Sequence, residues 1–372
     1  MTDTIILGAG VTGLAAGIAT GCPVYEAALN PGGICSSYYQ QGYRFERGGG
    51  HWIFGVDATM MEFMSRFAEM QPHERRSSVY FADTGEFVPF PIQNNLPAQP
   101  EDIEVATMKD WFTAQFGESL CQRFFHPFNE RYTAGLYGRI APQDQYKTPT
   151  DRGNGYNLTF VYPPAGLDAF VETMAAKCDV RYGREVGWIN TEEKRVEFTD
   201  GESVSYSKLL STLPLNVVQS MAKGKINGTN PYVSIHVVNI GAERGPKCPS
   251  DHWLYIPDAM SGFHRVGFYS NVDESFSPAP DRVGVYVEMT SGPDTDQIIA
   301  ELQSWGFIGK VDAVDTTFIP CAYTYRWPGS TWRKDTLAAL ADKDIYQVGR
   351  YARWQFQGIA ESIREGLSCL SR

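Results

Sequence analysis

The sequence has no Cys-x-x-Cys pair, and its seven cysteines (Cys22, Cys35, Cys121, Cys178, Cys248, Cys321 and Cys369) are scattered. An odd number without metal or disulfide spacing excludes a zinc finger and a disulfide-stapled scaffold, and reads as reduced thiols in a cytoplasm. No apolar run approaches the ~20 residues needed to cross a bilayer. The N-terminus leads directly into a strand pattern, which leaves no room for a signal peptide. Basic residues are in the minority, with Lys plus Arg 32 against Asp plus Glu 43 and a formal charge of −11. That balance excludes a non-specific nucleic-acid binder, which needs a basic stripe. A few local arginines can still draw in an anionic ligand. Internal repeats and low-complexity tracts are absent too. The expectation is a cytoplasmic protein with no nucleic-acid partner, no membrane partner and no metal. At 372 residues, 43% of them hydrophobic, the chain can bury the cores of two or three lobes.

What is present begins as an α/β domain. Thr4 to Leu7 reads as a short apolar strand and Gly8-Ala9-Gly10-Val11-Thr12-Gly13 as a turn. An alanine-rich helix follows through Ala19, then a second strand at Val24-Tyr25-Glu26. Between a strand and a helix the three glycines carry chemical meaning. Gly8 permits the tight turn, Gly10 lets the backbone approach a pyrophosphate, and Gly13 allows close helix–strand packing; the helix N-terminus stabilises the negative charge. Glu26 ends the second strand where an acid hydrogen-bonds the adenosine ribose. The pattern predicts a bound dinucleotide and by itself does not separate NAD from FAD.

Further along, apolar residues recur at helical spacing from Ala58 to about Gly138 (Met60, Met61, Phe63, Met64 and Phe67, then Trp111, Phe112, Phe116 and Leu120), around a proline-rich interruption at Val88 to Pro97. Pro142 to Pro164 is polar and turn-rich, as a crossover between lobes would be. Ala165 to Ala176 reads as a helix, Val180 to Tyr182 as a strand, Asp200-Gly201 as a hairpin turn and Lys208 to Pro214 as another strand. Alternation from Val233 to about Asp315 predicts an antiparallel sheet. The chain then closes with the strand Ile345 to Val348, Gly349-Arg350 and a helix through Leu370. The predicted fold class is α/β. It comprises a discontinuous Rossmann-like domain at 1–57, 165–230 and 335–372, a mainly helical substrate-binding insertion at 58–164, and an antiparallel β-sheet domain at 231–334.

The segment Asn30-Pro31-Gly32-Gly33 just after the ribose acid, with the second cluster Gly48-Gly49-Gly50-His51, resembles the amine-oxidase-like flavoproteins. Ser211-Thr212-Leu213-Pro214 and Gly349-Arg350 fit the same superfamily. The resemblance implies FAD, with Gly32, Gly33, Gly49, Gly50, Gly349 and Arg350 joining Gly8, Gly10, Gly13 and Glu26 around it. Within that superfamily five patches in order are similar to UDP-galactopyranose mutases, the eukaryotic type above all. They are Gly49 to Phe54, Val88 to Asn95, Phe124 to Asn129, Cys248 to Asp258 with Phe263-His264-Arg265 and Ser270-Asn271, and Gly349 to Trp354.

That resemblance implies a redox-neutral interconversion of the pyranose and furanose forms of a UDP-sugar, UDP-galactose foremost, with reduced FAD as covalent nucleophile. NADPH or NADH is the candidate reductant, and a homodimer the candidate assembly. Arg265 and Arg350 would hold the diphosphate, since two planar, permanent charges suit that group better than lysines do. Tyr255 would add a hydroxyl, and Gln93 and Asn129 would read the base or ribose. Trp253, Tyr325 and Trp327 complete the substrate set, and His51 would lie over the isoalloxazine. Each has a plainer alternative: salt-bridge arginines, a half-buried sheet tyrosine, turn and helix-end amides, a loop histidine. The sequence departs from the family at Phe356 and Trp327, where tyrosines are expected, at Ile92, where an aromatic is, and at Thr133, where a tryptophan is. Two other readings stay open. One is an oxidase or dehydrogenase of the amine-oxidase or protoporphyrinogen-oxidase type, which wants an apolar, aromatic-walled pocket; the other is a non-catalytic flavin-binding protein.

Overall fold

A strand apolar on both faces belongs in the middle of a parallel sheet covered on each side, and all four residues of Thr4–Leu7 are buried. In the computed structural model, which describes residues 4–143, 158–223 and 228–369, this strand is the centre of a five-stranded parallel sheet. The order is Ile345–Gln347, Lys208–Ser211, Thr4–Leu7, Val24–Tyr25 and Val180–Arg181. Strands from the beginning, middle and end of the chain thus build one Rossmann-like lobe. The helix Val11–Thr20 packs against Ile359–Leu367 and Leu167–Ala175. The first contact is backbone to backbone, since a Cβ on Gly366 would come within 2.3 Å of the Thr12 carbonyl oxygen.

The second sheet has seven strands, in the order Ile308–Thr324, Tyr232–Arg244, Arg282–Met289, Arg265–Phe268, Trp253–Tyr255, Ser77–Phe81 and Glu86–Pro89. All pairings are antiparallel except that of Trp253–Tyr255 with Ser77–Phe81. The antiparallel sheet expected from 231 onward is present, and it recruits two strands from the preceding segment.

That segment is therefore less helical than its spacing suggests. Ala58–Met64 and Met108–Phe116 are helices, the first capped by the Asp57 carboxylate and the second by a Thr107/Asp110 capping box. Between and after them lie the strands Gln71–Glu74, Ser77–Phe81, Glu86–Pro89 and Thr159–Tyr162. Ser77–Phe81 is buried along its whole length, and an all-buried run of five residues suits a strand as well as a helix. Most of the crossover expected at 142–164 lies outside the described residues, though Thr159–Tyr162 is a strand paired with Gln71–Glu74.

The helical part has its own core, in which Phe125 stacks on Phe116 at 4.5 Å between ring centres and tilts onto Phe112 at 4.9 Å. Phe125→Ala is expected to cost about 3 to 5 kcal/mol, read as a lowered urea midpoint; an unchanged midpoint would mean this cluster does not limit stability. Among the described residues no helix is long and apolar enough to cross a membrane, and no group of His, Cys, Asp or Glu could hold a metal ion.

Candidate active site

The fingerprint turn shows three different reasons for glycine. Gly8 has φ +93°, and a Cβ there would sit 2.3 Å from Thr212 Oγ1. At Gly13 a Cβ would fall 1.8 Å from the Gly8 carbonyl oxygen, so helix and turn pack without any spacing atom. At Gly10 a Cβ would meet nothing within 4 Å, so the reason for glycine lies outside the protein. The helix that follows has no side-chain cap and no acid in its first turn, leaving its first amides for an anion. Glu26 braces the turn: one carboxylate oxygen accepts from the Ala9 amide at 2.7 Å and the other from the Ala28 amide at 2.8 Å.

The next two glycine turns are the two ends of one hairpin. Ser37–Gln40 and Tyr43–Glu46 pair in antiparallel register, with Gly32-Gly33 just before them and Gly48 to Gly50 just after. Gly48 leaves room for the His51 ring, which a Cβ there would strike at 2.1 Å. These turns, the fingerprint helix and Gly349-Arg350 converge on a cleft of about 340 Å³.

Eight of the residues singled out in the sequence line this cleft: Gly10, Gly32, Gly33, Gly50, His51, Arg265, Gly349 and Arg350. Gly8, Gly13, Glu26 and Gly49 are not among its wall residues. Arg265 bonds Glu288 across the sheet at 3.0 Å, and the two side chains are only 13% and 5% exposed. Burial opposes the Arg265 charge, yet Glu288 beside it holds its pKa above the ordinary guanidinium value. Arg350 has no carboxylate partner among the described residues. It donates to the carbonyls of Gln357 and Ala322, each at 3.1 Å, and lies over the rings of Phe356, Tyr323 and Tyr351.

The remaining candidates are not brought to this cleft. Asn129 is spent on its own helix, donating to the Phe125 carbonyl at 2.7 Å; Thr133, in the position expected to hold tryptophan, caps the Asn129 carbonyl at 2.7 Å. Gln93 is buried in the turn Ile92–Asn94. Trp253 packs in the aromatic core against Phe160 and against Phe54, itself a wall residue. Tyr255 stands beside Arg265 and leans on Phe90 at 4.5 Å. Trp327 donates to the Thr229 carbonyl, beneath Arg139. Tyr325 faces a neighbouring cavity of about 690 Å³ that shares Phe356 and Gln357 with the cleft; its hydroxyl is buried without a partner.

Sequence reading missed Tyr323, Tyr132 and Glu288. Tyr323 lines the cleft, under Arg350 and 4.5 Å from the Tyr132 ring. Burial pushes the hydroxyls of Tyr132, Tyr323 and Tyr325 above their ordinary value, so they are neutral donors at physiological pH. Tyr323 lies near the end of the strand Ile308–Thr324 and Tyr325 just beyond it, so no alternation marked the pair. Glu288 became visible only through its register with Arg265.

Glu46, at the end of the hairpin, is fully buried and its carboxyl is pushed up to about 7 by that burial. Because folding raises this pKa, the folded chain binds the proton more tightly than the unfolded one. The stabilisation is full below the ordinary carboxylate range and is lost as pH rises through about 7. Thermal melts should therefore show the wild type losing stability relative to Glu46→Gln across that window; parallel profiles would show that the group does not titrate there.

The profile of the flavin containing amine oxidoreductases matches residues 14–367. The chain belongs to that family. Among solved structures the fold is shared with a reduced UDP-galactopyranose mutase (22% identity, TM-score 0.87, covering 100% of this chain and 95% of that one). It is shared also with a CLA-producing fatty acid isomerase from P. acnes (16%, 0.68, 100% and 98%) and with a putrescine oxidase bound to putrescine (14%, 0.65, 100% and 99%). Membership in a family of flavin enzymes implies FAD, and the residues present fit that group. Gly10 turns bare backbone to open space and a Cβ on Gly33 would meet only the Gly10 Cα, at 3.9 Å; the uncapped helix suits a pyrophosphate, and Glu26 follows the second strand.

Proposed function

We propose that this flavoprotein is a nucleotide-sugar mutase, interconverting pyranose and furanose forms of a UDP-sugar, UDP-galactose foremost. The observation that carries the reading is the meeting of Arg265 and Arg350, from segments 85 positions apart in the sequence, on the cleft that also holds the His51 turn. An amine oxidase, whose substrate is a cation, has no use for two guanidinium groups there, whereas a diphosphate does. The overall likeness to the mutase fold supports the same reading.

Reduced FAD, when bound, supplies a nucleophilic nitrogen for the anomeric carbon. This chain's residues supply position and charge. Arg350 holds the diphosphate and offsets the charge that grows on it as the sugar–oxygen bond breaks. Arg265 joins it, with Glu288 keeping the guanidinium charged and oriented. Tyr323 donates a neutral hydroxyl between them. Ile235, Ile319 and Ala322 on the wall limit water around the reacting sugar.

Titration of the holoprotein with UDP, followed by turnover of the UDP-sugar before and after dithionite, tests this. UDP binding, with interconversion only after reduction, is expected. Oxygen uptake with an amine and no UDP binding would replace the mutase with an oxidase; FAD with neither activity would leave a binding protein. His51→Ala is expected to lower turnover at least about tenfold and to shift the flavin absorbance. An unaltered enzyme would return His51 to a loop-structuring role.

A further inference from the structure

The two glycine turns on the cofactor side of the cleft belong to one hairpin, and one buried carboxyl ties that hairpin shut. We infer that Glu46 is a positioning residue for FAD, pinning the Gly32-Gly33 and Gly48-to-His51 turns in place through bonds to three separate elements. This rests on family membership and FAD, and is independent of the mutase reading.

The bonds are specific. One carboxyl oxygen of Glu46 accepts from Ser37 Oγ at 2.8 Å and from the Tyr162 hydroxyl. Ser37 opens the hairpin two positions after Cys35, a wall residue, and its Oγ also accepts from the Leu167 amide at 3.0 Å. Its neighbour Ser36 donates to the Gly33 carbonyl at 3.0 Å. Tyr162 lies in the strand whose Val161 exchanges both backbone bonds with Ile53, two positions after His51. Glu46 itself precedes Gly48 by two positions. Its backbone carbonyl accepts from the Gly49 amide at 3.3 Å, from Asn239 Nδ2 at 3.2 Å and from the Tyr269 hydroxyl at 3.4 Å. Side chain and backbone of one residue therefore fix both turns.

The other carboxyl oxygen is buried without a partner. Arg44 is close enough to favour the ionised form, but its guanidinium donates to the Pro164 carbonyl and stacks on Phe276 rather than closing an ion pair with Glu46. Asp168 opposes ionisation, and Cys35 and Tyr269 are the remaining titratable groups that sense Glu46. The carboxyl can thus exist in both forms near neutrality, and they differ in grip. The ionised form gains stronger hydrogen bonds but leaves a charged oxygen buried without a partner, and burial outweighs those bonds, so the hairpin is held more firmly below the midpoint than above it.

The test is the dissociation constant of FAD, with the visible spectrum of the bound flavin, measured from pH 5.5 to 8.5 on the refilled protein without any nucleotide sugar. In the wild type the affinity should fall about tenfold as pH rises through a midpoint near neutral, one pKa unit of coupling. Glu46→Gln, which keeps a neutral acceptor at every pH, should be flat and near the low-pH affinity of the wild type, while Glu46→Asp retains a midpoint. His51→Ala should keep the wild-type midpoint, which separates Glu46 from the histidine of the turn it pins. A midpoint surviving in Glu46→Gln, a flat wild type, or an affinity that rises with pH would each overturn the inference. Should Glu46→Gln not fold, Tyr162→Phe decides the matter. It removes one donor to the ionised form and should raise the midpoint, and an unmoved midpoint would refute the pin.

Discussion

Arg350→Ala is expected to weaken UDP-sugar binding roughly 100-fold, about 3 kcal/mol, while leaving the spectrum of bound FAD nearly intact. The size follows from what Arg350 lacks. Its charge is balanced by no carboxylate among the described residues, only by two backbone carbonyls and the faces of three rings. An arriving diphosphate therefore displaces no ion pair and meets a guanidinium already oriented. Arg265 should behave differently. Its removal leaves Glu288 buried and unpaired, which costs about 3 to 5 kcal/mol, so Arg265→Ala should lower the melting temperature as well as the affinity. Arg350→Lys should recover only part of the loss, because a point charge does not reproduce the fork. Isothermal titration with UDP on all three variants checks this, and unchanged affinity for Arg350→Ala would remove that residue from the site.

The second large effect comes from a pair of glycines three residues apart. Gly13→Ala places a methyl 1.8 Å from the Gly8 carbonyl oxygen. Neither partner is a movable side chain, so the helix must leave the turn. The protein should lose its melting transition or melt far lower, with or without FAD. Gly10→Val adds a larger side chain where the protein offers no contact within 4 Å of the first carbon. The cofactor-free protein should melt as the wild type does, yet its affinity for FAD should fall at least roughly 100-fold, because the added bulk stands where backbone must approach a pyrophosphate. Equal melting curves for the cofactor-free forms of both variants would contradict the packing at Gly13. Undiminished FAD affinity in Gly10→Val would contradict the placement of the cofactor.

Much of this was legible in the sequence because its causes are local. Gly8, Gly10, Gly13 and Glu26 sit in one strand–turn–helix, and their spacing alone dictates where each lies. The antiparallel alternation after Val233 was similarly readable. Ser77–Phe81 was not, because a short apolar run gains its identity from its partner, here the distant strand Trp253–Tyr255. The same holds for the site. Arg265 and Arg350 could be nominated, but the Glu288 that distinguishes them is a fact of cross-strand register. Asn129 and Trp253 fell on segments near the site, yet one is consumed by its own helix and the other by an aromatic core. Glu46 passed unnoticed, since nothing in Phe45-Glu46-Arg47 shows that the acid is sealed from water.

The order of strands in the parallel sheet also has a temporal meaning. Thr4–Leu7 leaves the ribosome first, but its neighbour Lys208–Ser211 follows some two hundred residues later, and the helix Ile359–Leu367 that packs on Val11–Thr20 later still. During synthesis the fingerprint turn must wait with one side uncovered, and the seven-stranded sheet can assemble before the cofactor lobe closes. The cleft that Ile359 and Ser362 help to wall is thus complete only after that helix has been made, so FAD can meet its whole site only then.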